Sequence, residues 1–278
     1  MPKGTPQYEN FIELVTVPNS LEEEKRVKNY WLIVNTLKTV TVIALILFII
    51  SIELDLALKG IIEVVAVICL VIYIWYRTKS SKRFRDILLE ECDPDRALAM
   101  YTNLISYAKR QRNWELHFYN LANILYYAGR SDDVKKVQAL LKKYCTTSLG
   151  NMYYEMIGAK LALYAMNREA LQKHCSNMAE LIKNVRLKGM MKFVYYEIMQ
   201  YPALVQMWDN GEYVKLYNEL MQAKFLKKTL SSKVKQNYYL YKVSFALNDK
   251  EKMDKHRAFV IQNGKGLWYC KELKKEIQ

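Results

Sequence analysis

The sequence predicts an all-α protein in which a two-helix transmembrane hairpin precedes an α-solenoid of about four to five helix–turn–helix pairs. Three observations predict this fold. Two apolar runs of membrane length lie near the N-terminus, and amphipathic helix pairs recur through the rest of the chain. Glycine and proline, which mark the tight turns of sheet-rich folds, number only 9 and 5 in 278 residues.

The first 29 residues are predicted to be a cytoplasmic tail that ends in the start of a helix. In the stretch PNSLEEE, Asn19 or Ser20 can cap a helix. The three glutamates that follow suit the positive end of the helix dipole.

Two apolar runs, residues 31–52 and 56–76, are each predicted to cross a membrane, within a hairpin that spans residues 30–76. Both are close to the roughly 20 residues that a helix needs to cross a bilayer. The alternative, a buried hairpin of a soluble protein, is disfavoured because the runs lack a polar face. Lys38 lies close enough to one end to reach the interface, and Lys59 and Glu63 are spaced to pair on one helical face.

The flanking charges predict the orientation of the hairpin. Five cations follow the second run within nine residues: Arg77, Lys79, Lys82, Arg83 and Arg85. Short cationic flanks stay in the cytoplasm, so the protein is predicted to be a multi-pass protein of the plasma (inner) membrane with both termini cytoplasmic. Residues 77–92 are predicted to form a basic juxtamembrane helix, which could also hold anionic lipid.

Residues 93–278 are predicted to form paired amphipathic helices. The second helix of each pair begins near Ala97, Val134, Ala170, Val214 and Met253. These intervals of 36 to 44 residues are typical of solenoids, in which each pair must stack on its neighbours to bury its apolar face. Pro202 lies inside the longest interval and predicts a kink in a long helix.

This pattern resembles the tetratricopeptide-repeat family in a degenerate form. In RALAMYTNL, Ala97, Tyr101 and Leu104 occupy the family's small, aromatic and aliphatic positions. FYNLANILYYAGR matches at Phe118, Leu121, Ala122 and Gly129. The resemblance is strongest over residues 93–144. The chain departs from the family where Val134, Val214 and Met253 replace small residues, and the closing proline is missing throughout.

The resemblance implies a concave ligand groove lined by the first helices. Four tyrosine doublets lie one in each predicted first helix: Tyr126-Tyr127, Tyr153-Tyr154, Tyr195-Tyr196 and Tyr238-Tyr239. Tyrosine offers a large contact area at low entropic cost, and Lys160, Lys192 and Lys242 could favour an acidic peptide. The alternative is that one tyrosine of each doublet packs in the core, the other lies at the surface, and the lysines are solvated.

No catalytic, metal or cofactor motif is recognisable, so the chain is predicted to be neither an enzyme nor a cofactor-binding protein. The three histidines form no H-x-x-x-H pair, and the five cysteines form no C-x-x-C. A Cys–His pair across the fold, such as Cys145 with His117, is the alternative that spacing leaves open.

The charge distribution bears on the partner. Residues 77–278 hold 36 Lys/Arg and 20 Asp/Glu, a net charge of +16 that suits an anionic partner. Nucleic acid is not favoured, because the cations do not gather in a recognised motif. The predicted function is a membrane-anchored adaptor or scaffold that binds a protein or acidic peptide beside the lipid bilayer. The alternative is a structural subunit of a membrane transport, secretion or envelope-assembly complex in which the hairpin is the recognition element.

Overall fold

The structure, a computed structural model, describes residues 21–50, 56–107, 114–144, 147–187, 189–223 and 229–276. These residues form thirteen α-helices and no strand, so the all-α prediction is confirmed. In chain order the helices are α1 (Leu21–Ile50), α2 (Leu56–Leu89), α3 (Pro94–Tyr107), α4 (Trp114–Ala128), α5 (Ser131–Tyr144), α6 (Ser148–Tyr164), α7 (Arg168–Leu181), α8 (Met190–Ile198), α9 (Tyr201–Asp209), α10 (Tyr213–Gln222), α11 (Leu230–Ala246), α12 (Lys250–Asn263) and α13 (Trp268–Lys275).

Helices α1 and α2 pack side by side and extend beyond the predicted spans. Helix α1 already begins at Leu21, and Val27 near its start is buried against the core that includes Ile87. Helix α2 continues through the basic stretch to Leu89, so the predicted juxtamembrane helix is a direct continuation of the second apolar run. The ring of Tyr30 stacks on that of Tyr76 with centroids 5.8 Å apart.

Among the described residues, one segment near the N-terminus, Lys25–Leu47, is long and apolar enough to cross a membrane. The apolar part of α2, Gly60–Tyr76, is shorter. Both helices expose large apolar side chains: Leu32 is 67% and Ile61 62% exposed. By length and composition, the described residues therefore contain one candidate spanning helix. The second span and the orientation stay predictions, and the connecting residues 51–55 lie outside the described ranges.

The positions of the later helices agree with the predicted periodicity. The predicted second helices correspond to α3, α5, α7, α10 and α12. Side-chain caps account for several helix starts: Thr147, Asn167, Thr229 and Asp249 each accept a hydrogen bond from the backbone N–H three residues on. The long helix predicted across Pro202 is divided into α8 and α9, because proline lacks the N–H that would continue the hydrogen-bond ladder.

The last helix packs against the first helices of this region. Gly129 ends α4 with a φ of 81°, and a Cβ there would come within 2.8 Å of the Cβ of Trp268. The N–H of Gly266 donates to the carbonyl of Cys92 at 3.2 Å. Trp268 also meets Tyr164 edge-on at 4.9 Å. Helix α13 therefore contacts α4, α6 and α11, and the residue pair before it bonds to the turn before α3.

Candidate functional site

The tyrosine doublets lie mainly inside the protein. The first tyrosine of every doublet is buried: Tyr126, Tyr153, Tyr195 and Tyr238. The second is half-buried in Tyr127, Tyr154 and Tyr239, whereas Tyr196 is 52% exposed. The doublets therefore do not form one continuous exposed surface.

Several of these rings pack with others into an aromatic cluster. Its members are Tyr126, Tyr127, Tyr238, Tyr239, Trp268 and Tyr269. Burial raises the pKa of Tyr126 and Tyr269 well above the usual range, so both phenols stay neutral at physiological pH. This cluster holds helices α4, α11 and α13 together.

A cavity of about 370 Å³ opens beside the cluster. Its walls come from the end of α2, from α4, α6 and α8, and from the start of α11. The apolar side includes Phe84, Leu88, Leu89, Met191 and Val194. The polar side includes Tyr119, Asn123, Tyr127, Lys160 and Glu197. The cavity therefore combines an apolar wall with a small set of charged and hydrogen-bonding groups.

Lys160 is the most unusual group in this cavity. Its ammonium donates a hydrogen bond to Oδ1 of Asn123 and lies 5.8 to 6.0 Å from the ring centroids of Tyr119, Tyr126 and Tyr127. Within the described ranges it forms no ion pair with a carboxylate. Burial lowers the pKa of Lys160 to about 8, because the charged form loses its hydration.

A more deeply buried lysine, Lys235, is paired with Glu197 of the cavity wall. Lys235 pairs with Glu197 and donates to the hydroxyl of Tyr201 at 3.0 Å, with side-chain exposures of 5% for Lys235 and 14% for Glu197. Lys235 also lines a smaller apolar pocket of about 50 Å³ with Trp208 and Tyr239. Because Glu197 lines the larger cavity, this ion pair lies between the two spaces.

The remaining predicted groove lysines do not share the cavity. Lys192 is exposed on α8, with its ammonium 5.9 Å from the ring centroid of Tyr196. Lys242 pairs with Glu272 at 3.2 Å and with Glu276 at 2.8 Å. Of the predicted groove residues, the structure brings Tyr126, Tyr127 and Lys160 together and leaves Lys192 and Lys242 elsewhere.

The predicted membrane and interface charges are only partly described. Arg83 pairs with Glu91 at 2.6 Å, and Arg85 lines the cavity. Lys38 and Glu63 are exposed on α1 and α2. The side chains of Lys59, Arg77, Lys79 and Lys82 lie outside the described residues.

The histidines all have polar neighbours. His117 Nδ1 lies 2.8 Å from the hydroxyl of Tyr101, and burial lowers the pKa of His117 to about 4, so it is neutral at pH 7. His174 Nδ1 lies 2.6 Å from a carboxylate oxygen of Glu155. His256 Nε2 lies 2.9 Å from the hydroxyl of Tyr217. Cys145 lies outside the described residues. Within the described ranges, no group of three His, Cys, Asp or Glu side chains could hold a metal ion.

Sequence reasoning misses two parts of this site. It places the wall from Phe84 to Leu89 in a basic interface segment, and it does not point to the ion pair of Lys235 with Glu197. A usable signal exists for Lys235, which lies between residues of an apolar helical stripe that includes Val234 and Tyr238.

Comparison of the chain with family models, curated proteins and solved structures finds no match.

Proposed function

We propose that this chain is a membrane-anchored helical-repeat adaptor that holds a protein partner at the cytoplasmic face of a membrane. In this proposal α1 and the apolar part of α2 form a two-span hairpin, and α3–α13 form a short solenoid whose two ends meet. The exposed apolar side chains of α1 and α2 support the membrane assignment, because such side chains favour lipid over water.

The continuity of α2 carries this proposal. The helix runs without a break from its apolar segment to Leu89, and its last turns form a wall of the cavity. Tyr76 and Phe84 are separated by about 12 Å at a rise of roughly 1.5 Å per residue. A partner bound near the cavity would therefore be held at a fixed, short distance from the bilayer.

The exposed face of α8 is the docking surface that we assign to the partner. Met190, Phe193 and Tyr196 are 39%, 47% and 52% exposed, and Lys192 is exposed among them. Exposed aromatic and methionine side chains are typical of protein interfaces, whereas lysine adds charge selectivity for an acidic segment.

Site-specific photo-crosslinking in native membranes tests the proposal. A photoreactive phenylalanine at position 193 should give a discrete adduct with one partner. The same label at Phe245, which is 67% exposed on α11, is the matched control and should give none. An identical pattern at both positions, or no adduct at position 193, would contradict the adaptor proposal.

A second candidate function has one observation in its favour. Lys38 and Glu63 are exposed on the two apolar helices, and ionisable groups within a membrane commonly serve recognition. The hydroxyls of Thr36, Thr39 and Thr41 are instead bonded to carbonyls of their own helix. Replacing residues 32–75 with an unrelated hairpin separates the two functions. The adaptor keeps its adduct at position 193, whereas a hairpin-recognition subunit loses its partner.

A further inference from the structure

We propose that the cavity beside Lys160 binds an anionic amphiphile, a small molecule with one apolar chain and a carboxylate or phosphate head group. This inference goes beyond the adaptor proposal. A partner can dock on α8 with the cavity empty, and the cavity can be filled with no partner present, so either proposal can fail without the other.

The need for an anion follows from the surroundings of Lys160. An ammonium group has three N–H donors, and within the described ranges one of them goes to Asn123. The three tyrosine rings around the ammonium give weak attraction without a negative charge. Lys160 is half-buried, and a charge that is largely withdrawn from water is costly unless it is paired, so a ligand anion would supply the compensation that the protein does not.

One carboxylate in the cavity argues against an anionic ligand at first sight. Glu197 lines the same space and would repel a negative charge. Its charge is already compensated by Lys235, and it also accepts a hydrogen bond from Tyr201. Beside this compensated pair, Lys160 supplies a cation that is available to a ligand.

The need for an apolar chain follows from the opposite wall. Leu88, Leu89, Met191 and Val194 present hydrocarbon to the cavity, and burial of an apolar chain against such a wall is favourable. The volume of about 370 Å³ falls within the range of roughly 300–1,000 Å³ that is usual for small-molecule sites. A free inorganic anion would bury none of this apolar wall.

The position of the cavity allows supply from a bilayer or from solution. Phe84 lies in its wall only a short distance along α2 from the apolar segment, and the exposed Met190 and Phe193 lie at its edge. The ligand could therefore be a single-chain lipid that leaves the membrane or a free fatty acid, which share the same chemistry.

Calorimetric titration of the full-length protein in phosphatidylcholine nanodiscs tests the site, with empty nanodiscs subtracted. Decanoate is the probe, decanol has the chain without the charge, and acetate has the charge without the chain. We expect decanoate to bind the wild type and a Lys192→Met control equally. Lys160→Met should weaken decanoate binding by about tenfold or more and leave any decanol binding unchanged.

Two results would overturn the inference. One is equal decanoate affinity in the wild type and in Lys160→Met. The other is acetate binding as tight as that of decanoate, which would indicate a simple anion site. Val194→Trp keeps the lysine but fills the cavity, so it should abolish decanoate binding without changing the helical circular dichroism. Retained binding in Val194→Trp would place the ligand elsewhere.

Mass spectrometry of organic extracts of the purified protein then identifies the natural source. A phosphate-bearing single-chain lipid indicates supply from the bilayer, and a fatty acid indicates a free carboxylate. Either should be depleted in Lys160→Met relative to Lys192→Met. Equal recovery from both variants contradicts the assignment.

Discussion

Replacing Lys160 with methionine should stabilise the protein at neutral pH, although it removes a charged hydrogen-bonding group. Burial lowers the lysine pKa from 10.5 to about 8, which corresponds to roughly 3 kcal/mol of unfavourable free energy in the folded state. The lost hydrogen bond to Asn123 and the lost contacts with tyrosine rings offset about 1–2 kcal/mol. The net gain in the free energy of unfolding should therefore be about 1–2 kcal/mol.

The pH dependence of this gain has a definite sign. Below pH 8 both folded and unfolded chains carry the Lys160 proton, so the folded state bears the full cost. Between pH 8 and about 10.5 the folded state releases the proton first, and the cost disappears. The surrounding phenols of Tyr119, Tyr126 and Tyr127 do not titrate in this window, because burial raises their pKa values beyond it. Burial, together with the nearby charge of Lys160, also lowers the pKa of Lys235 well below its usual value, so Lys235 is a second group that contributes to the pH dependence although it is paired with Glu197.

Denaturant unfolding in nanodiscs at pH 7 and pH 10 measures this effect. The midpoint of Lys160→Met should exceed that of the wild type at pH 7. At pH 10 this advantage should be lost or reversed, because the wild type no longer bears most of the cost whereas the variant still lacks the hydrogen bond to Asn123. Lys192→Met should change stability by less than about 0.5 kcal/mol at either pH, because its side chain is exposed. Destabilisation of Lys160→Met at pH 7 would refute the reasoning that the lysine is a costly buried charge.

Three further changes test the packing by the same unfolding measurement. Glu197→Ala should lower the free energy of unfolding by about 3–5 kcal/mol, because it leaves Lys235 buried without its partner. The double variant Glu197→Leu with Lys235→Met should be nearly neutral. Similar losses in both variants would contradict this reasoning. Gly129→Ala should cost at least about 1–2 kcal/mol, because the φ of 81° disfavours alanine and the new Cβ meets α13; an unchanged midpoint would contradict this. A Cβ at Gly158 would overlap the ring of His174, so Gly158→Ala should destabilise the wild type. In the His174→Ala background the same change should stabilise the protein by about 1 kcal/mol, because alanine favours the helix. A stability change of the same sign in both backgrounds would contradict this reasoning.

The local elements were predictable because their signals are local. Helix starts at Asn167, Thr229 and Asp249 follow from side chains that cap the next turn. The division between α8 and α9 follows from the missing N–H of Pro202. Apolar periodicity then indicates which stretches are helical, without specifying which distant helices touch.

The candidate site was only partly predictable because it depends on long-range packing. Lys160 lies in the stretch GAKLALY, where a lysine between apolar residues is as compatible with a solvated face as with a buried one. Its partial burial results from the packing of α6 against α4, which surrounds the ammonium with Asn123 and three tyrosine rings, and no local pattern encodes that contact. The cationic stretch before Phe84 predicts a membrane interface. It carries no signal that the end of α2 also contributes a wall of the cavity.

The contact of Trp268 with Gly129 has a consequence for how the molecule comes apart. In a linear array each unit touches only its neighbours, so the ends fray independently of one another. Here the last helix packs against α4 and the residues before it bond to the turn before α3, so pulling on the C-terminal end should loosen the first helices of this region at the same time. The molecule should consequently lose its helicity in a single concerted transition rather than from one end inward.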